Sequence, residues 1–164
     1  MTDEQLNQLS AAIGAHLQRL QATVTAAESC TGGWISKVIT DIAGSSAWFE
    51  RGFVTYSNDA KQQLIGVSVD SLEQWGAVSE QVVREMAQGA LQAAQADFAL
   101  AVSGIAGPGG GSDDKPVGTV WFGFATKPGV VQARRQVFAG DRDAVRRQAT
   151  AYALQTLHDE FLKN

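Results

Sequence analysis

The sequence is poor in cysteine and histidine, the two side chains that most often build metal centres. Cys30 is the only cysteine, and the two histidines, His16 and His158, lie near opposite ends of the chain. A single cysteine excludes an intramolecular disulfide and a metal site built from cysteines alone. Two distant histidines and scattered acids form no recognisable set of metal ligands. We therefore expect any hydrolytic chemistry to proceed without a metal, and no cofactor is indicated.

Long apolar runs and an excess of basic residues are also missing. No segment is apolar over the roughly 20 residues that a membrane helix requires, and residues 1–20 lack the apolar centre of a signal peptide. The 17 acidic residues outnumber the 13 basic ones, which gives a net charge of −4. This balance argues against non-specific binding to nucleic acid. We expect a cytoplasmic protein that binds neither membranes nor nucleic acid.

The chain does have the length and the hydrophobic pattern of one α/β domain. Chains of 164 residues usually fold around a single core, and we expect residues 1–164 to form one domain. Helical and strand-like patterns alternate early, and two late strand-like runs are joined through Pro128-Gly129. This order predicts a three-layer α/β/α domain with a mixed, mostly parallel central sheet and a late antiparallel hairpin.

The pattern also gives approximate positions for these elements. Thr2, Ser79 and Asp141 are good N-caps for the first, a central and the last helix. Further helices are predicted from residue 34 to a stop at Gly44, over 59–65 and over 69–75. The predicted strands cover residues 22–27, 49–56, 98–102, 117–125 and 130–138.

The first candidate for chemistry is the turn after the first strand, residues 28–33 (ESCTGG). A strand that leads sharply into a helix leaves backbone N–H groups unpaired, and these can hold a phosphate or an oxyanion. Ser29 would lie at the carboxyl edge of the sheet, where α/β folds usually build their sites. The alternative is that Ser29 or Thr31 only caps the following helix. The segment does not match G-x-S-x-G, so the pattern alone does not decide between the two.

A serine nucleophile needs a base. Both histidines fall on predicted terminal helices, which makes a Ser-His-Asp triad improbable. Lys61 begins a short helix directly after a strand, again at the edge of the sheet where a site is expected. A lysine acts as a base when burial or nearby positive charge lowers its pKa. The alternative is an ordinary solvated lysine on a helix.

Two further segments are candidates for ligand binding. Residues 103–112 (SGIAGPGGGS) form the most glycine-dense stretch but match neither G-x-G-x-x-G nor the P-loop pattern. We expect function in residues 103–107 and a surface loop beyond them. Arg142 lies in the first turn of the last helix, an unfavourable place for a cation unless an anionic ligand binds there.

Together these segments resemble the CinA C-terminal family in its stand-alone form, in order and over nearly the whole chain. The matching segments are residues 25–33 (TAAESCTGG), 52–58 (GFVTYSN) with Lys61, 76–79 (GAVS), 103–108 (SGIAGP) and 115–120 (KPVGTV). The resemblance implies hydrolysis of the carboxamide of nicotinamide mononucleotide to nicotinate mononucleotide and ammonia, within pyridine nucleotide salvage. It also implies a homodimer.

By the same resemblance, Ser29 is the nucleophile and Lys61 its base. The backbone N–H groups of Thr31 and Gly32 would stabilise the oxyanion, and Cys30 is a rival nucleophile that we expect to serve packing instead. The residues expected to bind substrate are Glu28, Thr31, Gly32, Tyr56, Asn58, Ser103, Gly104, Ala106, Gly107 and Arg142.

Two other functions remain open from the sequence. The same serine and lysine could serve a different amidase or acyl hydrolase. Alternatively, the domain could be a non-catalytic nucleotide-binding or regulatory module linked to DNA uptake or repair. Five arginines are the basic cluster on which DNA binding would depend: Arg134, Arg135, Arg142, Arg146 and Arg147.

Overall fold

A five-stranded mixed sheet forms the centre of the computed structural model, which describes residues 1–163. In chain order the strands are β1 (Val24–Glu28), β2 (Phe53–Val54), β3 (Phe98–Gly104), β4 (Thr119–Thr126) and β5 (Val130–Val137). Their order across the sheet is β2-β1-β3-β4-β5. Strand β1 pairs in parallel with β2 and β3, whereas β4 is antiparallel to both β3 and β5. Four of the five strands thus share one direction, which confirms the predicted sheet and its late hairpin.

Helices cover both faces of this sheet. They are α1 (Asp3–Leu20), α2 (Trp34–Thr40), α3 (Asn58–Ile65), α4 (Val69–Trp75), α5 (Glu80–Ala94) and α6 (Arg142–Thr156), which continues as a π-helical segment, Leu157–Leu162. The predicted caps are present: Thr2 forms a capping box with Gln5, and Ser79 and Asp141 accept hydrogen bonds from backbone N–H groups in the first turns of α5 and α6.

Two apolar clusters flank the sheet and complete the three layers. Helices α1, α2 and α6 pack on one face, around side chains such as Leu17, Ile39 and Phe122. Helices α3, α4 and α5 pack on the other face, around Ile65 and Met86. This arrangement confirms the α/β/α prediction and leaves the carboxyl ends of β1 and β3 open between the layers.

The second strand is much shorter than residues 49–56. A short 3₁₀ helix, Ser45–Ala47, precedes it, and regular pairing is confined to Phe53 and Val54. The reason is that Trp48 packs into the cluster on the α1 side, whereas Phe53 packs against the cluster on the α5 side. The chain must therefore cross the edge of the sheet between these two side chains, which an apolar run alone does not reveal.

Helix α5 sets the position of α3 through a very close backbone approach. A Cβ atom on Gly89 would lie 1.7 Å from the carbonyl oxygen of Ile65, the last residue of α3. Only glycine fits between the two helices at this point. The placement of α3, and of Lys61 on it, therefore depends on Gly89.

We expect Gly89→Ala to destabilise the fold, although alanine is the better helix former. Overpacking at such a contact costs about 1–3 kcal/mol, and the shift of α3 should also reduce any activity that depends on Lys61. Thermal and urea unfolding measure the effect. Gly109→Ala is the control, because its Cβ would meet nothing within 4 Å. A Gly89→Ala protein as stable as that control would contradict the packing argument.

Candidate active site

A cavity of about 270 Å³ opens at the carboxyl ends of β1 and β3. Its wall combines the turn after β1, the start of α3, the connection before α5, the loop after β3 and the start of α6. The lining residues are Ser29, Cys30, Tyr56, Asn58, Lys61, Ala77, Val78, Ser103, Gly104, Ala106 and Arg142. Eight of the twelve residues predicted for the site are among them.

Ser29 is held at the start of a tight turn. It follows β1 directly, is 8% exposed, and its N–H donates to the carbonyl of Val102 on β3 at 3.0 Å. The turn closes through the N–H of Gly32, which donates to the carbonyl of Ser29 at 3.0 Å. Gly32 and Gly33 both have positive φ angles, 60° and 105°, which glycine adopts without strain. The Ser29 hydroxyl is thereby presented to the cavity.

Lys61 is buried next to this hydroxyl, with only 1% of its surface exposed. Its Nζ lies 3.1 Å from Ser29 Oγ, 3.0 Å from the carbonyl oxygen of Thr55 and 3.4 Å from that of Tyr56. Burial lowers the pKa of Lys61 below its ordinary value, because the charged ammonium loses its hydration.

An ammonium can donate to all three oxygens, and a neutral amine can keep the same three contacts. Two N–H groups can donate to the carbonyls of Thr55 and Tyr56, and the nitrogen lone pair then accepts the O–H of Ser29. A contact of 3.1 Å is within the reach that proton transfer to a base requires. Ser29 and Lys61 thus have the contact distance and the burial that a serine nucleophile and its base require.

Glu28 was expected to contact substrate, but it lies beneath the turn. The carboxylate is fully buried and accepts four hydrogen bonds, one from the turn and three from the start of α2. Its donors are Thr31 Oγ1, the N–H of Ile35, and the N–H and Oγ of Ser36, at 2.7–2.9 Å. Because Gly33 offers no side-chain cap, Glu28 caps α2 in its place.

Three other residues predicted to bind substrate also lie outside the cavity lining. The side chain of Thr31 is buried and donates to Glu28. Gly107 accepts a hydrogen bond from Arg142 through its carbonyl. The amide of Gly32 is bonded to Ser29, so it is not available to an oxyanion, contrary to the expectation. Within residues 1–163, the amides of Cys30 and Thr31 donate to no other residue.

Arg142 spans the mouth of the cavity. Its Nη1 donates to the carbonyl of Gly107 at 2.8 Å, and its Nη2 donates to the Tyr56 hydroxyl at 3.2 Å. Tyr56 is 61% exposed. A guanidinium has five N–H groups, so donors remain on Arg142 for an anionic ligand that enters past Tyr56.

Sequence reasoning missed three lining residues: Cys30, Ala77 and Val78. Ala77 and Val78 are small apolar residues in the loop before α5 and carry no chemical signal of their own. Cys30 was assigned to packing, and it is buried in the cluster on the α1 side as well as lining the cavity. Burial raises the pKa of Cys30 to about 12, so the thiol is poorly suited to act as the nucleophile.

Neither a larger cavity nor a metal cluster competes with this site in the described part of the chain. A cavity of about 470 Å³ between the end of α5 and the β4–β5 hairpin is lined by three glutamines, Thr126, Lys127 and apolar residues. Cavities of about 430 Å³ and 300 Å³ are lined mainly by acidic, amide and apolar side chains, and none of the three brings a serine next to a lysine. Residues 1–163 contain no group of three or more metal-ligating His, Cys, Asp or Glu side chains. In the same residues, we find no helix long and apolar enough to cross a membrane.

A family model of the CinA C-terminal domain matches residues 6–161, which include the turn, Lys61 and Arg142. The chain belongs to this CinA family. The nicotinamide-nucleotide amidohydrolase PncC of Escherichia coli (strain K12) is 70% identical over 164 residues, covering 100% of the chain and 99% of that protein. The protein of the same name from Enterobacter agglomerans is 65% identical, with both chains fully covered.

Solved CinA structures share the fold. The crystal structure of the competence damage-inducible protein A (ComA) from Klebsiella pneumoniae superimposes with a TM-score of 0.91 at 40% identity. The match covers 94% of this CinA chain and 96% of that one. The mixed sheet with helices on both faces is therefore the architecture of the family.

The buried lysine predicts a particular pH dependence of stability for this CinA domain. Between the lowered pKa of Lys61 and its ordinary value of 10.5, the unfolded chain keeps a proton that the folded chain releases. The free energy of unfolding of the wild type should then rise with pH relative to Lys61→Met, which has no such proton. Urea unfolding at a series of pH values from neutral to about 10 measures this difference.

Lys37→Met is the control for this experiment, because Lys37 is exposed and paired with Asp41. Its pKa is raised, mainly by the hydrogen bond to Asp41, so its difference from wild type should not grow in favour of wild type in that window. A Lys61→Met difference that stays flat with pH would contradict the neutral amine.

Proposed function

We propose that this protein hydrolyses the carboxamide of nicotinamide mononucleotide to nicotinate mononucleotide and ammonia, with Ser29 as nucleophile and Lys61 as base. The reaction is supported by relatives named nicotinamide-nucleotide amidohydrolase that are 65–70% identical over the full chain. The mechanism rests on one observation, the 3.1 Å contact between Lys61 Nζ and Ser29 Oγ within a buried cavity wall.

The reaction begins with attack on the carboxamide. Neutral Lys61 takes the proton of the Ser29 hydroxyl as Oγ bonds to the carboxamide carbon, and the carbonyl oxygen becomes an oxyanion. The unpaired amides of Cys30 and Thr31 are the donors that the turn offers to this oxyanion. Lys61 then gives its proton to the amide nitrogen, and the C–N bond breaks. Ammonia departs, and the acyl group remains bound to Ser29 Oγ as an ester.

Water completes the reaction. Lys61, neutral again, removes a proton from a water molecule as its oxygen attacks the ester carbon. The second tetrahedral species collapses, the proton on Lys61 returns to Ser29 Oγ, and nicotinate mononucleotide is released. The pyridinium charge of the substrate makes the carbonyl carbon more electrophilic in both halves.

The cavity also offers contacts for the rest of the substrate. Arg142 has free N–H groups at the mouth, where they suit a phosphate. Ala77, Val78 and Ala106 provide an apolar wall on which a pyridine ring can pack. Ser103 is 1% exposed, and its hydroxyl has no hydrogen-bond partner among the residues described, so it is available to a polar group of the ligand.

The DNA-binding alternative loses support from the arginines. Arg134 pairs with Glu160, Arg147 pairs with Asp3, Arg146 binds carbonyls of the nucleophile turn, and Arg142 spans the cavity mouth. Four of the five arginines thus have partners within the chain, and they do not form a free basic patch. A different amide substrate for the same pair remains the alternative that a substrate panel tests.

A homodimer and a cytoplasmic location remain predictions from the resemblance and the composition. Light scattering coupled to size exclusion should give twice the mass of 17.4 kDa for one chain. Elution as a monomer at micromolar concentration would contradict the dimer.

We expect purified, metal-free protein to release ammonia from nicotinamide mononucleotide, and Ser29→Ala and Lys61→Ala to abolish the release. Losing the nucleophile or its base should lower kcat by at least about a thousandfold, as for other acyl-transfer enzymes. A coupled ammonia assay and detection of nicotinate mononucleotide measure both products.

The matched controls are Cys30→Ala and Lys37→Ala. Lys37 is exposed and lies outside the cavity lining, so its variant should keep kcat within about threefold of wild type. Cys30 lines the cavity, so Cys30→Ala tests the rival thiol and should keep activity well above that of Ser29→Ala. If Cys30→Ala lost activity while Ser29→Ala kept it, the thiol would be the nucleophile. A wild type that binds the nucleotide without releasing ammonia would favour the non-catalytic module.

A further inference from the structure

Arg146 donates hydrogen bonds to the turn that carries Ser29 and lies outside the cavity lining. It lies in the second turn of α6, one turn after Arg142, and is not part of the cavity wall. Its Nε donates to the carbonyl oxygen of Cys30 at 3.0 Å, and its Nη2 lies 3.3 Å from the carbonyl oxygen of Thr31, also as a donor. The mechanism above makes no use of this cation.

Peptide geometry relates these carbonyl contacts to the orientation of the N–H groups of Cys30 and Thr31. In a trans peptide the C=O and N–H groups point in opposite directions. The carbonyl of Ser29 is held by the N–H of Gly32, and the carbonyl of Cys30 is held by Arg146. The N–H groups that share those two peptide planes, those of Cys30 and Thr31, therefore point away from Gly32 and Arg146.

Neighbouring backbone amides without a partner are donors of the kind that binds anions. Neither the Cys30 amide nor the Thr31 amide donates a hydrogen bond to another residue between positions 1 and 163. Ser29 and Cys30 both line the cavity, and Thr31 is the next residue, so the pair directly follows in sequence the residue whose oxygen attacks the substrate. The orientation of these two amides therefore depends on the hydrogen bonds that Gly32 and Arg146 donate to the carbonyls of Ser29 and Cys30.

We propose that Arg146 is a positioning residue for the amidase reaction, holding the Cys30 and Thr31 amides in the orientation that receives the oxyanion. The inference rests on the proposed function. The positively charged guanidinium of Arg146, next to the Cys30 carbonyl oxygen, also polarises the peptide group between Cys30 and Thr31. This polarisation strengthens the Thr31 N–H as a donor. Arg146 thus acts on the transition state through the backbone, without touching the substrate.

Gly32 supports a dedicated place for the guanidinium. A Cβ atom at Gly32 would lie 3.1 Å from Arg146 Nη2, closer than nine in ten real Cβ contacts. The planar guanidinium can donate to two neighbouring carbonyls at once, whereas a lysine presents a single charged nitrogen. We therefore expect that lysine replaces Arg146 only in part.

The test compares Arg146→Met and Arg146→Lys with Arg147→Met. Arg147 is the next residue on α6 and carries the same charge. It also stacks on Trp34, 4.8 Å from the ring centroid, but it binds Asp3 and Met1 instead of the turn. Arg146→Met should lower kcat roughly tenfold to a hundredfold, somewhat less than the loss of an oxyanion donor itself. Its KM should change by less than about threefold, because the amides bind the transition state more than the substrate. Arg146→Lys should be intermediate and Arg147→Met close to wild type.

A second readout separates positioning from general damage. Ser29 Oγ can bond to the carbonyl carbon of the aldehyde analogue of nicotinamide mononucleotide, while the Ser29 hydroxyl proton moves to Lys61. The aldehyde oxygen then becomes an oxyanion at the position that the oxyanion occupies in the reaction. The affinity for this analogue should fall in parallel with kcat across the Arg146 variants, whereas the KM for nicotinamide mononucleotide, whose carboxamide oxygen is uncharged, should change by less than about threefold. Millimolar guanidinium should partly restore kcat in Arg146→Ala but not in Ser29→Ala.

The outcomes are distinct. Unchanged kcat in Arg146→Met, equal losses in Arg147→Met, or a KM for nicotinamide mononucleotide that rises as much as the aldehyde affinity falls would each overturn the positioning role. If Arg146→Met does not fold, the same comparisons made with Arg146→Lys decide. Absence of ammonia release by wild type would refute the proposed function itself, and the variants are interpreted only against an active wild type.

Discussion

The contact between a buried lysine and a serine hydroxyl is the constraint on which the rest of the site depends. A lysine with 1% exposure must be held away from water and still have partners for its N–H groups. The carbonyls of Thr55 and Tyr56 supply them. Thr55 is itself fixed, because its N–H donates to the carbonyl of Glu28 at 2.8 Å. A short series of hydrogen bonds thus connects Glu28, the residue before Ser29, to Lys61.

Glu28 carries two parts of this arrangement at once. Its carbonyl holds Thr55, while its carboxylate caps α2 and so fixes the exit of the turn after Ser29. The final helix adds a third support, since Arg142 reaches the cavity mouth and Arg146 reaches the back of the turn. The site is therefore held by elements from both ends of the chain, and its two reactive groups are 32 positions apart in sequence.

Much of this could be predicted from the sequence, because local signals were strong. The order of strands and helices, the caps at Thr2, Ser79 and Asp141, and the placement of Ser29 and Lys61 at one edge of the sheet follow from periodicity and turn chemistry. The predicted length of β2 was wrong, since the apolar residues at 48–53 serve opposite faces of the sheet. The orientation of Glu28 and the bond of the Gly32 amide depend on how the turn closes in three dimensions, which residue types alone do not encode. Ala77 and Val78 reach the cavity only through the packing of α4 and α5.

The two-residue strand β2 has a consequence for how the protein behaves among other copies of itself. An edge strand exposes unpaired N–H and C=O groups along its outer side and can template association with another sheet. Because β2 ends at Val54, only two residues at this edge are available to pair with a strand of another molecule. The opposite edge, β5, is eight residues long but carries Arg134 and Arg135. Charged side chains on an edge strand oppose hydrogen-bonded pairing with a strand of another molecule. The early end of β2 also allows the next two carbonyls to bind Lys61, so one feature of the chain both shortens the exposed edge of the sheet and completes the surroundings of the buried lysine.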